Sequence, residues 1–231
     1  MPGVELIEGL RTTGAVREFT DEAVADDVVV RLLETARFAP SGGNRQGWRV
    51  VLVKDPAARL GLRDRYLDGW YEYLAITAAG LRPWAPVTDR AAEERALAGA
   101  AALREQARAA PGFAERFHEV PVLLALFVDL RELAAVDRDL RRYTLAGGAS
   151  VYPFAWSILL AAREEGLAGV ITTMPIRQEP AVRELLGAPD HFALAAVLAL
   201  GHPVRQPRRL TRSPVADFAT TDRLDGPPLA P

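Results

Sequence analysis

The sequence predicts an α+β protein in which helices alternate with the strands of a central sheet. Apolar residues recur at helical spacing in several segments, for example at Val29, Leu32 and Ala36, and short apolar runs of strand length separate these segments. The run at 193–200 is apolar throughout, which is typical of a strand covered by helices on both faces. At 231 residues, the chain is long enough to bury one sizeable core.

The elements follow from apolar spacing and from the residues that begin and end helices. Pro40 ends the second helix, because proline lacks an N–H and restricts the residue before it. Asp55 and Pro56 open the third helix, and Gly187 ends the last one. Helices are expected at 4–11, 25–38, 55–79, 149–165 and 180–186, and strands at 48–54, 122–128, 170–172 and 193–200.

Two segments depart from this alternation. Prolines interrupt the chain after the third helix, and the alanine-rich stretch 91–109 predicts an inserted helix within a segment of about 82–118. This helix is either a solvated structural element or a cover for a substrate.

The residues after Pro203 are rich in arginine and proline and too polar to build a core. We therefore expect a main domain at 1–204 and an extension at 205–231 that packs on something else.

Composition restricts the function. A net charge of −2 and a pI near 6.0 argue against a nucleic-acid surface. The chain has no cysteine and only three scattered histidines, so neither a disulfide framework nor a metal site is expected. The apolar runs are too short to span a membrane, and the N-terminal residues do not resemble a signal peptide. We expect a cytoplasmic protein that binds small molecules or a second copy of itself.

The most informative segment is residues 36–48, which join the second helix to the first strand. Gly42 and Gly43 permit close approach of a ligand to the backbone, and the side chains of Ser41, Asn44 and Gln46 supply hydrogen-bond donors and acceptors. Such a junction could hold a flat polar ligand, although an ordinary loop would use the same residue types.

This segment resembles the A-P-S-x-x-N-x-Q-x-W element of the nitroreductase family of FMN-dependent oxidoreductases. Residues 11–19 resemble the family's R-R-S-x-R-x-F flavin phosphate segment. Residues 169–176, with their T-T-x-P element, and 182–203 are similar to its C-terminal half. The four elements occur in the family's order and extend over about residues 4–215.

The resemblance implies a three-layer α-β-α nitroreductase-like fold with a mixed central sheet flanked by helices. It also implies an intertwined homodimer with two FMN sites at its interface. The implied activity is the reduction of nitroaromatic, quinone or similar conjugated acceptors by NAD(P)H in alternating two-electron steps. No catalytic acid, base or nucleophile is required, because the flavin carries the chemistry.

The resemblance also assigns site residues. Arg17 occupies the family's second arginine position and is the strongest candidate for the flavin phosphate, whose negative charge an arginine fork can neutralise. Thr13, Gly14 and Ala15 stand where the family usually has an arginine pair and a serine, so one positive contact is missing. The cofactor-binding residues implied are Arg11, Thr13, Gly14, Ala15, Arg17, Pro40, Ser41, Gly42, Asn44, Gln46, Thr172, Thr173, Arg209 and Arg212, with Thr172 and Thr173 near flavin N5.

Several alternatives remain open. Arg17 could form a surface salt bridge, the threonines could simply end a strand, and the arginine-rich tail could be a solvated turn. The aromatic residues Tyr66, Trp70, Tyr71, Tyr73 and Trp84 could wall a substrate pocket or belong to the core. A reductive dehalogenase, an ene-reductase, an oxidase of the same fold and a flavin-binding protein without turnover are rival functions. No dinucleotide fingerprint is present, so a nicotinamide would stack on the flavin.

Overall fold

In a computed structural model of the chain, residues 4–229 are described, and within them four strands form one sheet in the order β1-β2-β4-β3. The first three and the last two residues, which include the start of the predicted main domain and the end of the extension, lie outside this range. The strands are β1 (Trp48–Leu52), β2 (Val122–Asp129), β3 (Ala168–Thr172) and β4 (Phe192–Gly201).

The expected mixed sheet is corrected by the strand pairing. All three neighbouring pairs in the described chain are antiparallel. The strands β2 and β3 do run in the same direction, but β4 lies between them, so no parallel pair forms.

The predicted helices and strands are all present, and their ends agree with the predictions to within about three residues. The single inserted helix is instead two helices, α4 and α5, which a 3₁₀ turn at Leu97–Gly99 separates. The α-helices are α1 (Leu6–Thr12), α2 (Asp26–Ala36), α3 (Pro56–Ala78), α4 (Arg90–Ala96), α5 (Ala100–Ala109), α6 (Tyr152–Glu164) and α7 (Glu179–Leu185).

The sheet lies between two helical layers, as a three-layer fold requires. Successive side chains of a strand point to opposite faces, and β2 is buried on both. Leu124 and Leu126 belong to the core formed with α2 and α6, whereas Leu123, Ala125 and Phe127 belong to the core formed with α3 and α7. This placement explains why β2 and β4 are continuously apolar.

The insertion packs on the outer surface of α3. Neither α4 nor α5 contains a buried residue. Arg104 of α5 forms an ion pair with Asp68 at 2.8 Å and lies over the ring of Tyr71, 5.0 Å from its centroid. Within residues 4–229, no helix is both long and apolar enough to cross a membrane.

The first residues of the C-terminal extension pack on their own chain. The Val204 N–H donates to the Glu18 carbonyl at 3.1 Å, and the Gln206 amide donates to the Thr12 carbonyl at 3.1 Å. Residues 211–229 are almost entirely exposed and are held by a local bridge between Thr220 and Pro228. The part of the extension without a core contact therefore begins after Leu210.

Candidate functional site

The loop of residues 40–47 has an unusual backbone that its own polar side chains hold in place. Gly43, Asn44 and Gln46 have φ angles of 61°, 54° and 51°. The left-handed region costs a non-glycine residue of order 1 kcal/mol, and such residues cluster at functional sites. The Ser41 hydroxyl accepts from the Gln46 N–H at 3.0 Å, and the Gln46 amide donates to Asn44 Oδ1 at 3.1 Å.

The rest of the protein fixes both ends of this loop. The Gly42 N–H donates to Ser150 Oγ at 3.0 Å, and the Gly47 carbonyl accepts from the Asp129 N–H at 2.8 Å. Trp48, which follows the loop, stacks on Phe154 of α6 with centroids 4.6 Å apart. Pro40, Asn44 and Gln46 are exposed, so the loop presents its polar groups at the surface rather than inside a closed cavity.

Arg17 lies at the mouth of a cavity of about 290 Å³. Its segment is joined to the sheet because the Val16 N–H donates to the Gly169 carbonyl at 2.9 Å. Arg116 and Phe113, which follow α5 within the inserted segment, line the same cavity. In the part of the chain that the structure describes, neither Arg17 nor Arg116 has a carboxylate partner within salt-bridge distance. Glu18, Asp21 and Glu119 line the cavity as well, so its charged lining combines two guanidinium groups with three carboxylates.

Thr13 and Gly14 lie under the C-terminal extension. A Cβ atom at Gly14 would meet Leu210 Cδ2 at 2.7 Å and Pro207 Cγ at 3.6 Å, so the extension occupies the space beside this glycine. Thr13 is buried, and its hydroxyl has no hydrogen-bond partner within the described residues. Arg209 lies next to Leu210 and is therefore brought close to this segment.

The remaining candidates at this end of the sheet are solvent-exposed. Ala15 and Arg11 are exposed, the latter on α1, and Arg209 and Arg212 are also exposed. The only hydrogen bond recorded for the Arg212 guanidinium within residues 4–229 is to the neighbouring Thr211 carbonyl, at 2.7 Å. Their side chains are free to contact a ligand but are not held in place by this chain.

Thr172 and Thr173 differ in accessibility. Thr172 is buried, its hydroxyl accepts from the Met174 N–H at 3.4 Å, and it is hydrogen-bonded to the phenol of Tyr66. Burial raises the pKa of Tyr66, whereas the Thr172 hydrogen bond and the positive charge of Arg17 act in the opposite direction. Thr173 is exposed at the start of the next turn. Of the pair, Thr173 is the one whose hydroxyl a ligand can reach.

A partly buried hydrogen bond supports the turn that carries Phe113 and Arg116. The Tyr71 hydroxyl donates to Glu115 Oε1 at 2.7 Å, and the Gly112 N–H donates to Glu115 Oε2 at 2.7 Å. Burial and this hydrogen bond raise the pKa of Tyr71 to about 12. Tyr71 thus ties the cavity-lining turn to α3.

The aromatic residues singled out in the sequence fall into two groups. Tyr66 and Tyr71 are core residues, and Tyr66 stacks on Phe117 with centroids 4.7 Å apart. Trp70, Tyr73 and Trp84 are only partly buried. They form a continuous array in which Trp70 stacks on Tyr73 at 5.5 Å. The predicted aromatic wall is therefore partly core and partly surface.

The predicted site residues do not meet within one chain. The loop 40–47 precedes β1, whose Trp48 pairs with Val128 at one end of β2. Gly169, which holds the Arg17 segment, pairs with Leu200, and Leu200 pairs with Val122 at the other end. The two ends are about 20 Å apart at about 3.3 Å per residue, and β1 and β3 are opposite edges of the sheet. The structure therefore divides the predicted site residues into two groups. We call the group around Arg17 the cavity half and the loop 40–47 the loop half.

Sequence reasoning missed Arg116, Phe113 and the supporting Glu115. These residues follow α5 within the inserted segment, where helical periodicity has already been lost, and no motif marks them. The available signal was an arginine directly before the apolar Phe117, in a segment that also contains Phe113.

Comparisons with known proteins identify the family and the fold. Residues 10–202 match the nitroreductase family. Human iodotyrosine deiodinase 1 is 29% identical over 202 residues, which cover 87% of this chain and 62% of that protein, so the chain spans less than two thirds of its length. The nitrobenzene nitroreductase of Ectopseudomonas oleovorans is 27% identical over 216 residues, 87% of this chain and 88% of that protein. A solved iodotyrosine deiodinase bound to FMN and 3-iodo-L-tyrosine superposes with a TM-score of 0.60 at 24% identity, covering 91% of this chain and 96% of that one.

Proposed function

Because this chain belongs to the nitroreductase family, we propose that it binds FMN and uses NAD(P)H to reduce nitroaromatic, quinone or similar conjugated small molecules. The observation that carries the proposal is the cavity lined by the unpaired Arg17 and Arg116, close to the buried Tyr66 and its partner Thr172. The fold is shared with a solved protein that contains FMN.

Part of the cavity half suits the phosphate of FMN, beside the carboxylates of Glu18, Asp21 and Glu119. A bound FMN phosphate carries negative charge, and a site without a metal must neutralise it with arginine and hydroxyl donors. Arg17 and Arg116 supply exposed guanidinium groups, and Thr13 supplies a buried hydroxyl that lacks a partner in the described chain. Arg209, with Arg212 further along the extension, would add charge near the phosphate in place of the arginines missing at Thr13 and Gly14.

The loop half would complete the site from a second copy of the chain. The loop 40–47 and the Arg17 cavity lie at opposite ends of the sheet, so one flavin cannot contact both within a chain. In a two-fold symmetric homodimer, the loop of each chain would face the cavity of the other, which gives two equivalent sites. The exposed residues 211–229, with Phe218 and Leu224 open to solvent, would embrace the partner.

The chemistry would come from the cofactor, and the residues of this chain would bind and orient it. Bound FMN supplies a centre that accepts two electrons and a proton from a nicotinamide and passes them to an acceptor. Thr173, the exposed hydroxyl of the pair, would contact flavin N5. Ser41, Asn44 and Gln46 of the partner loop would offer hydrogen bonds to the polar edge of the ring and would stabilise negative charge there.

The direct test is flavin content followed by anaerobic reduction. Protein purified with added FMN should be yellow with one FMN per chain, NADH or NADPH should bleach it without oxygen, and nitrobenzene or a quinone should restore the colour. A protein that gains no flavin absorbance on titration with FMN would contradict the cofactor assignment. Reduction by dithionite but by neither nicotinamide would contradict the donor assignment only.

One rival deserves the same assay. The deiodinase relatives favour a reductive dehalogenase, because an exposed hydroxyl near N5, such as that of Thr173, can favour one-electron steps. Adding a halogenated phenol to the acceptors in that assay distinguishes a dehalogenase from a nitroreductase. Halide release at a rate above that of nitroaromatic reduction would favour the dehalogenase.

A further inference from the structure

A second groove lies at the loop end of the molecule, and none of the residues assigned above lines it. It has a volume of about 630 Å³ and is mostly apolar, a size typical of small-molecule sites. Its apolar members are strongly exposed, with Val87 at 95% and Leu145 at 74%. The residues that line it are Pro86, Val87, Leu140, Arg141, Arg142, Tyr143 and Leu145.

The two arginines of this groove have different roles. The Arg142 side chain makes its contacts within the protein: its guanidinium pairs with Asp137 at 2.8 Å and donates to the Tyr143 carbonyl at 2.7 Å. Arg141 is exposed and makes neither a hydrogen bond nor an ion pair with any residue from 4 to 229. The groove therefore combines apolar walls with one uncommitted positive charge.

The wall of the groove is held in a defined shape. The buried carboxylate of Asp137 accepts from the Leu145 N–H at 2.7 Å and from the Ala146 N–H at 3.3 Å. The Arg90 guanidinium at the start of α4 donates to the Tyr143 hydroxyl. The insertion and the segment after β2 are thus joined across the groove. A ligand would therefore bind to walls that are already ordered.

The groove also adjoins the loop half of the proposed flavin site. A Cβ atom on Gly42 would lie 3.2 Å from Ala134, and the Gly42 N–H donates to Ser150 Oγ. Both ends of the segment that carries Leu140 to Leu145 therefore contact the loop 40–47. In a dimer that brings this loop to the partner's cavity, the groove would come with it.

We propose that this groove binds the ring of an aromatic acceptor that carries a carboxylate or similar anionic group, with Arg141 pairing with the anion. The proposal rests on the proposed function and names the substrate class of that same site. The apolar walls would bury the ring, and the uncommitted guanidinium would select the anion. The groove would be contributed in trans to the flavin held by the other chain.

The experiment compares two acceptors that differ in charge. Steady-state KM values are measured for 4-nitrobenzoate and for the neutral 4-nitrobenzamide, with wild-type holoprotein, Arg141→Ala and the matched control Arg138→Ala, which lies on the same segment outside the groove. Arg141→Ala should raise the KM for 4-nitrobenzoate about tenfold and leave that for 4-nitrobenzamide nearly unchanged. Leu145→Asn should raise both values, and Arg138→Ala neither.

The outcomes separate this inference from the proposed function. Equal effects of Arg141→Ala on both acceptors, or none on either, would overturn the groove assignment while flavin reduction by NAD(P)H stayed intact. A groove variant that changed the oligomeric mass instead of KM would show that a second copy covers the groove, which also overturns it. If wild-type protein held no flavin, calorimetric titration of 4-nitrobenzoate into wild type and Arg141→Ala would still test the groove assignment. Tenfold weaker binding by the variant would support the assignment, and equal binding by both proteins or no binding by either would refute it.

Discussion

At the scale of single residues, the arginines differ in how firmly the chain places them. The Arg17 segment is hydrogen-bonded to β3, and Arg17 shares a cavity with Arg116, whereas Arg209 projects from an exposed part of the extension. Both arginine side chains are exposed, but an arginine on a backbone segment that is already ordered pays less entropy on binding than one on a segment that must be ordered. The flavin should therefore depend on Arg17 more than on Arg209.

Replacing Arg17 with Ala should weaken FMN binding by one to two decades, because loss of a charge-assisted contact costs roughly 1.5 to 3 kcal/mol. Arg209→Ala should have a smaller effect. Arg95→Ala on α4 is the matched control, since that arginine is exposed and remote from the cavity. Titration of apoprotein with FMN, followed by quenching of flavin fluorescence, gives the constants. Near-zero losses for both variants would show that the phosphate lies elsewhere.

Tyr71 is expected to support the cavity without contacting the ligand. Tyr71→Phe leaves Glu115 Oε1 without its donor, so the free energy of unfolding in urea should fall by about 0.5 to 1.5 kcal/mol at neutral pH. Tyr73→Phe is the control, because the Tyr73 hydroxyl makes no hydrogen bond within residues 4–229.

The same bond gives a pH signature at the alkaline end. The pKa of Tyr71 is raised to about 12, above the value near 10 of an unfolded tyrosine, so its contribution is present below pH 10 and is lost as the pH rises toward 12. The stability difference between wild type and Tyr71→Phe should therefore shrink over that interval. A difference that did not change there would contradict the hydrogen bond.

At the scale of elements, the segment between β2 and α6 has a 3₁₀ helix at Ala146–Ser150 as its one regular element in the described chain and is held together by Asp137. Hydrogen bonds from the Leu145 and Ala146 N–H groups and from Arg142 lower the pKa of this carboxyl to about 2. A folded pKa below the unfolded value near 4 gives stability that is present above pH 4 and lost as the pH falls toward 2. The segment should thus be well ordered at neutral pH.

Asp137→Asn should loosen this segment at neutral pH, because a neutral amide is a weaker acceptor for the Arg142 guanidinium and the two N–H groups. Hydrogen exchange at residues 140–146 should rise in the variant and should rise in the wild type only between about pH 4 and pH 2. Asp139→Asn is the control, since that carboxylate is 87% exposed. Equal exchange in both variants would show that Asp137 does not hold the segment.

The sequence predicted the elements well, whereas the site residues remain a prediction. Apolar periodicity with capping residues located each helix and strand, because burial of one face determines them locally, as at Val29 and Leu32 of α2. The pairing of β4 between β2 and β3, and the approach of Arg116 to Arg17, depend on contacts between residues far apart in sequence, which no local pattern encodes. The resemblance supplied the loop 40–47 and Arg17 but not the groove at Leu145.

At the scale of the whole molecule, the separation of the two half-sites makes an oligomer a functional requirement of the proposed flavin site. The extension past Leu210 exposes Val215, Phe218, Leu224 and Leu229 to solvent. Exposed apolar groups on a segment without its own core are typical of an interface that needs a partner. We therefore expect the exposed tail to take part in the dimer interface that would complete the proposed flavin site.

The holoprotein should be a dimer at micromolar concentration, and removal of residues 213–231 should weaken both association and FMN binding. Large apolar interfaces do not dissociate on modest dilution. Light scattering coupled to size exclusion gives the mass, and the double substitution Arg223→Ala and Asp225→Ala, which removes only an exposed ion pair of the tail, is the control. A mass near 25 kDa for wild-type holoprotein would contradict a shared site.

The kinetics should follow from the shape of the assembled site. If the partner's loop covers the cavity, the nicotinamide and the acceptor must use the same flavin face in turn, because the sequence contains no dinucleotide fingerprint and 4–229 holds no second cofactor domain. The oxidised nicotinamide then leaves before the acceptor enters, and plots of reciprocal rate against reciprocal NAD(P)H concentration at several acceptor concentrations should be parallel. Excess acceptor should compete with NAD(P)H. An acceptor held in the groove near Leu145 while the nicotinamide is still bound would give intersecting lines instead, and this result would place the groove outside the space that the nicotinamide occupies.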